Sequence, residues 1–148
     1  MKNSILVVDD QQETVDLLYG LLLQQGYLPR PAYSGKEAMQ AAGRELPDVV
    51  LSDLAMPGMS GFELAEHMKA SYGERCPTMI ALTGWTDSSI AAQALNAGFS
   101  FVLTKPVDFL QLIALMKLAM AKQEARRAPL QMKADLQASS QTDVPGLP

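Results

Sequence analysis

Cysteine, histidine and tryptophan each occur once in this sequence, and charge of neither sign is gathered into a run. A single cysteine, Cys76, excludes an internal disulfide framework and any metal centre made of several thiolates; it reads as an ordinary reduced thiol, the state expected in the cytoplasm. The lack of a Lys/Arg cluster, with 12 basic against 16 acidic side chains and a formal charge of −4, removes the electrostatic basis for direct nucleic-acid binding. Long apolar runs are missing too. The opening MKNSILVVDD holds four consecutive aliphatics before two acids arrive, well short of a signal-peptide core or of the roughly 20 apolar residues that span a bilayer. Neither a targeting segment nor membrane insertion is expected. At 148 residues the chain can bury one sizeable core, with no room for a regulatory domain beside a second full-sized one.

What the sequence does contain is a repeated alternation. Short aliphatic runs recur at Ile5 to Val8, Val49 to Leu51, Met79 to Leu82 and Phe101 to Leu103, and each gap holds a segment with helical spacing. Such alternation predicts a parallel sheet wrapped by helices. A further strand is read between Gly26 and Gly35, in YLPRPAYS; prolines cannot donate to a ladder, so this strand belongs at an edge. Helices are expected near 11–25, 35–44, 61–72, 87–97 and 108–126. The first carries Val15, Leu18 and Leu22 and stops at Gly26; the last carries Phe109, Ile113, Met116 and Met120 behind Asp108 as N-cap. One domain is thus expected over residues 1–126. Residues 127–148 are rich in Gln, Ser, Ala and Pro without a sustained apolar face, and are expected to form a flexible tail or linker, too small for an output domain.

Three acids stand where strands end: Asp9 and Asp10 after the first run, and Asp53 after VVLS. Singly, each serves equally well as a helix cap or turn residue. In an open α/β sheet of order 2-1-3-4-5, however, the first and third strands are neighbours from which the chain winds in opposite directions. A crevice opens at their carboxyl ends, and the three carboxylates would meet in it. Like charges packed closely resist joint ionisation, and an oxygen-preferring divalent cation relieves them; Mg²⁺ keeps several waters and takes one or two carboxylates directly. Asp10 and Asp53 are the candidate direct ligands, with Asp9 acting through water and the backbone carbonyl of Ala55 completing the set. A Mg²⁺ ion beside an accessible carboxylate also prepares phosphoryl transfer, with Asp53 as nucleophile. The fourth run ends in ALTGW, which offers the Thr83 hydroxyl, and the fifth in LTKPV, which offers the Lys105 ammonium as a phosphate ligand. A lysine in such a loop is usually just solvated. Acids, hydroxyl and ammonium on successive strand ends facing one crevice have no reason to coincide as independent caps.

Over about residues 3–121 the sequence closely resembles the receiver domains of two-component response regulators, through VVDD, LSDLAMPGMSG, ALTGW and LTKP in that order. The resemblance implies a flavodoxin-like doubly wound (βα)5 fold with sheet order 2-1-3-4-5. It implies that Asp53 accepts a phosphoryl group from a phosphohistidine donor, that Asp9 and Asp10 organise Mg²⁺, that Thr83 moves to hydrogen-bond the phosphate and that Lys105 pairs with it. A cis peptide before Pro106 is implied as well. The partners would be a histidine kinase or histidine phosphotransfer protein upstream and another protein downstream, contacted through the fourth helix, fifth strand and fifth helix, with homodimerisation left open. Such a module catalyses only its own phosphorylation and slow dephosphorylation.

The departures from the family pattern bear on switching and on lifetime. Many receivers carry an aromatic three positions before the lysine; here Val102 stands there, and Phe101, one step earlier, points to the opposite face of the strand. Ala55 and Trp85, two residues after Asp53 and Thr83, offer neither acid nor base to a water attacking a phosphoaspartate, so a long-lived phosphorylated state is expected. Met56, Pro57 and Met59 are read as shaping the loop after Asp53, Trp85 as a fluorophore near the crevice, and His67 as a solvated helix residue rather than a phosphodonor. The start at Met1, close before the first strand, is what a free-standing protein or an N-terminal receiver would show. Two other functions stay in view. An aspartyl-nucleophile phosphatase on a similar sheet resembles DxD and needs a general acid where Ala55 stands; an unphosphorylated scaffold would leave a fully furnished site unused.

Overall fold

A computed structural model describes residues 3–85 and 87–143. Its five strands are β1 (Ser4–Val8), β2 (Leu28–Ala32), β3 (Val49–Asp53), β4 (Thr78–Thr83) and β5 (Phe101–Thr104). They pair in parallel in the order β2-β1-β3-β4-β5. The helices between and after them are α1 (Gln12–Gln24), α2 (Gly35–Arg44), α3 (Gly61–Tyr72), α4 (Ser88–Ala97) and α5 (Phe109–Asp143), with a single 3₁₀ turn over Gly73–Arg75. The flavodoxin-like architecture expected from the sequence is the one observed.

Alternation along the strands sorts the core into two layers. Ile5, Val7, Val49, Leu51, Ile80 and Leu82 meet Val15, Leu18 and Leu22 of α1 and Leu112, Met116 and Ala119 of α5. Leu6, Val8, Val50, Met79 and Ala81 face the other way, against α2, α3 and α4, where Leu64 and Met68 are fully buried. Both faces of the central strands are therefore covered, which is why these strands read as unbroken aliphatic runs. Each fully buried Leu or Ile contributes about 1.5–3 kcal/mol, so the two layers supply most of the drive to fold.

The prolines of β2 do what an edge position allows. Leu28 donates its N–H to the Asn3 carbonyl at 2.9 Å, so the N–H groups of alternate residues point toward β1. Pro29 and Pro31 fall on the other alternation, with their nitrogens toward the open edge. Helix starts carry ordinary capping chemistry: the Ser34 hydroxyl accepts from Glu37 N–H, Ser60 and Glu63 form a reciprocal capping box, and Asp87 and Asp108 accept from Ser89 and Gln111.

The end of α5 departs from expectation. Instead of stopping near residue 126 before a flexible tail, the helix continues to Asp143 with Pro129 inside it; its 35 residues span about 52 Å. The reason lies where it passes the amino ends of the strands. Thr78 donates its hydroxyl to the Gln123 amide oxygen at 2.8 Å, Arg126 donates to the Glu74 carbonyl at 3.2 Å, and Arg127 pairs with the buried Asp48. These contacts hold the helix at the point where the tail was expected to begin. Beyond it, Ala, Leu, Gln, Met and Lys are good helix formers.

Candidate functional site

Parallel pairing brings the carboxyl ends of β1, β3, β4 and β5 to one end of the sheet, and the candidate residues come with them. Val8 pairs with Ser52 and Asp53 with Leu82. Asp9 and Asp10 therefore leave β1 beside the last residue of β3, and Thr83 ends the next strand. Carboxylate oxygens of Asp9, Asp10 and Asp53 lie within 4.8 Å of one another; Asp9 is fully buried, Asp53 is 7% exposed and Asp10 is exposed. Lys105 arrives from the end of β5, its N–H donating to the Thr83 carbonyl at 2.7 Å and the peptide to Pro106 being cis, as expected. Its Nζ sits 2.9 Å from Asp9 Oδ2 and 3.3 Å from Asp53 Oδ1.

Three carboxylates share the crevice with one ammonium. Burial pushes Asp53 above the usual carboxylate range and the neighbouring Asp9 adds to the rise; Lys105 and a hydrogen bond from the Ala55 N–H oppose it without cancelling it. Burial works against the charge on Lys105, yet its hydrogen bond to Asp9 and the attraction of Asp53 and Asp9 prevail, and its affinity for a proton is raised. Clustered, partly desolvated carboxylates with a hydroxyl and main-chain oxygens nearby suit a hard divalent cation rather than a thiophilic one.

The other sequence candidates fall as follows. Thr83 is buried at the end of β4, but its hydroxyl accepts the Trp85 N–H at 2.9 Å, turned toward its own loop. Ala55 is exposed in the loop after Asp53, where Met56 is buried and Met59 packs over Gly35. Val102 packs with the α3 and α4 layer, whereas Phe101 packs on the α5 side, where the Lys122 ammonium lies 5.9 Å from its ring centre. Phe101 thus cannot stand in for the aromatic that the family pattern places at position 102. Trp85 borders a cavity with Gly84, Asp87 and Ile90, and His67 is exposed on α3.

Two features went unread in the sequence. Gly61 opens α3 so close to β3 that a Cβ there would lie 2.2 Å from the Asp53 carbonyl oxygen and 2.8 Å from Leu54 Cα; its N–H donates to the Leu54 carbonyl at 2.9 Å. The glycine closing PGMSG was the available signal. Second, Asp48 gathers the Ser4 N–H at 3.0 Å and the Arg127 guanidinium at the opposite end of the sheet. No local pattern marks that cluster, whose members come from three separate segments. Among the described residues no helix is long and apolar enough to cross a membrane.

Comparison with known proteins agrees with this geometry. Residues 5–117 match the response regulator receiver domain family. The chain is 45% identical over 114 residues to an uncharacterized 14.6 kDa protein of Leptolyngbya boryana, covering 76% of this chain and 86% of that one. It is 37% identical over 114 residues to the response regulator PleD of Caulobacter vibrioides, covering 77% of this chain but 25% of PleD. Among solved structures, a signal receiver domain from Pseudomonas fluorescens Pf-5 superposes with a TM-score of 0.78 at 29% identity, covering 84% of this chain and 99% of that one. The chemotaxis protein CheY4 of Vibrio cholerae gives 0.76 at 25% identity, covering 80% and 99%. With the fold, the acidic crevice and the matched residues in agreement, this chain belongs to the response regulator receiver domains of two-component signalling.

Proposed function

We propose that this chain takes a phosphoryl group from a phosphohistidine donor onto Asp53 and signals through protein contacts. The observation that carries the reading is the convergence of Asp9, Asp10, Asp53 and Lys105 at the shared carboxyl end of three strands. Both oxygens of Asp9 are engaged, one by the Gln11 N–H at 3.0 Å and one by Lys105, which leaves Asp10 and Asp53, with the Ala55 carbonyl, to ligate Mg²⁺ directly and Asp9 to act through water. Bound there, Mg²⁺ would neutralise phosphoryl oxygens during in-line attack. The chain's own residues do the rest. Asp53 supplies the attacking oxygen. Lys105, already between Asp9 and Asp53, follows the new negative charge. Thr83 exchanges its Trp85 contact for a hydrogen bond donated to the phosphoryl group, and the loop rearrangement this requires is what a partner at the face of α4, β5 and α5 would sense.

This reading makes the chain a phosphoprotein module of residues 1–126, with 127–148 as a connecting segment, and not an enzyme acting on other substrates. It would work in the cytoplasm with a histidine kinase or a histidine phosphotransfer protein. Incubation with acetyl phosphate and Mg²⁺ followed by mass spectrometry tests it. A stable adduct on Asp53, absent from Asp53→Asn, is expected; phosphate release in rapid turnover would mark a phosphatase, and no adduct at all a scaffold.

A further inference from the structure

Past the amino ends of the strands, α5 overhangs the domain. Gln123, Arg127, Leu130 and Ala134 follow one another at steps of three and four residues, so they continue the face whose earlier members, Leu112, Met116 and Ala119, cover the sheet. Between that face and the segments before β3 and β4 lies a cavity of about 730 Å³, within the roughly 300–1,000 Å³ of small-molecule sites. One part of its wall is apolar, made by buried Pro47 with half-buried Leu46 and Leu130. In the other part Gln123 is the decisive group. It is 9% exposed, and its amide oxygen accepts the Thr78 hydroxyl at 2.8 Å, but its amide nitrogen has no acceptor among the described residues. An amide N–H so deep in the fold is costly to leave unmade, by about 1–3 kcal/mol, and an acceptor oxygen brought into the cavity would satisfy it.

Charge says what kind of oxygen. Three arginines, Arg75, Arg126 and Arg127, line the cavity against two acids, Asp48 and Glu74, a surplus of one positive charge in a chain whose formal charge is −4. Arg127 is committed to Asp48. Arg126 gives one N–H to the neutral Glu74 carbonyl at 3.2 Å, which leaves its charge without an ion pair, and Arg75 has neither hydrogen bond nor ion pair among the described residues. A single surplus charge with two acids on the rim suits a monoanion rather than a phosphate dianion, and the planar guanidinium fork of Arg75 matches a carboxylate. We infer that this cavity binds a small carboxylate with an apolar body, of the class of medium-chain fatty acids. Arg75 and the Gln123 amide receive the carboxylate, and Leu46, Pro47 and Leu130 cover the chain. Such a ligand touches α5 and the segments before β3 and β4 together, so it braces the end of the molecule opposite the acidic crevice and needs no phosphorylation to bind.

Titration of the full chain with octanoate, followed by nuclear magnetic resonance at the Gln123 side-chain amide, tests it. Saturable shifts are expected there and at residues 46–48 and 130–134, with a dissociation constant below about 1 mM. Octylammonium, which has the same chain and the opposite charge, should leave these signals in place. Arg75→Glu, at an exposed position outside the five long helices, should weaken octanoate at least about tenfold, and Leu130→Glu should weaken it from the apolar side; thermal melting checks that both variants fold. The absence of a saturable shift overturns the inference. Shifts that octylammonium reproduces, or that persist unchanged in both folded variants, overturn it as well, since they would mark an unselective apolar groove. Tighter binding of octyl phosphate than of octanoate would overturn the choice of a carboxylate.

Discussion

Gly61→Ala pits two opposite effects against each other at the candidate site. Gly61 is the first residue of α3, and replacing glycine by alanine in a helix normally stabilises by up to about 1 kcal/mol, less at a first turn. Here the new methyl would sit 2.2 Å from the Asp53 carbonyl oxygen and 2.8 Å from Leu54 Cα, both backbone atoms that cannot swing aside. Reaching an ordinary contact of about 3.5 Å requires the start of α3 to retreat by more than an ångström. That movement breaks the Gly61 N–H bond to Leu54, worth about 1 kcal/mol, on top of about 1–3 kcal/mol for overpacking. The clash wins, for a net loss of about 2–3 kcal/mol, and the loop that joins Asp53 to α3 is displaced with the helix start. Urea unfolding should show the midpoint falling by about 1 M, and the rate of adduct formation with acetyl phosphate should fall with it. Gly43→Ala is the control: it lies within α2 with nothing within 4 Å of its would-be Cβ, and should gain about 0.5–1 kcal/mol. A Gly61→Ala protein as stable as its parent and phosphorylated at the same rate would refute the close approach.

Three other outcomes follow from the same geometry. Because the folded state holds the Asp53 pKa above its ordinary 3.8, stability present below that value is lost as pH rises through the folded pKa; Asp53→Asn should therefore be more stable than the parent at pH 7 in metal-free buffer. Adding Mg²⁺ at tenfold its dissociation constant should stabilise the parent by about 1.4 kcal/mol and the Asn variant by much less, read by thermal melting. With Ala55 and Trp85 flanking the site, the phosphorylated protein should decay slowly after donor removal, and Ala55→Glu or Ala55→Asn should shorten its half-life; equal decay counts against the assignment. Burial pushes the Cys76 thiol up, outweighing Arg126 and Lys69, so it should react with a disulfide reagent at pH 8 far more slowly in the native than in the urea-unfolded chain.

What could be read in advance was local. Strands buried on both faces show as aliphatic runs whatever lies far away, the prolines of LPRPA announce an edge by their own lack of a donor, and each site residue ends its strand or follows it within two positions. The extension of α5 was not legible for the converse reason. Arg127 finds Asp48 across 79 positions and Gln123 finds Thr78 across 45, partners that no window along the chain contains. The present position of the Thr83 hydroxyl was equally hidden, since a threonine at a strand end says what it can donate but not where it points.

The two ends of the sheet are linked through the same strands. β1 starts at Ser4 and delivers Asp9, β3 follows Asp48 and ends in Asp53, and β4 runs from Thr78 to Thr83. In a parallel sheet the reactive groups must gather at the carboxyl ends, so the residues just before the strands gather at the other end, about 17 Å away. α5 begins just after Lys105 and runs back to those amino ends, where Gln123 and Arg127 are held by Thr78 and Asp48. Sliding α5 along the sheet would break the Gln123 bond to the buried Thr78 hydroxyl and take the Arg127 guanidinium away from the buried Asp48 carboxylate, at a cost of several kcal/mol. Tilting it about that anchor costs neither bond. Any displacement of α5 that starts near Lys105 should therefore be largest at Phe109 and vanish at Gln123. Amide exchange compared with and without beryllofluoride should change around residues 105–112 and stay constant around 120–127; increased exchange confined to the Gln123 end would refute the pivot.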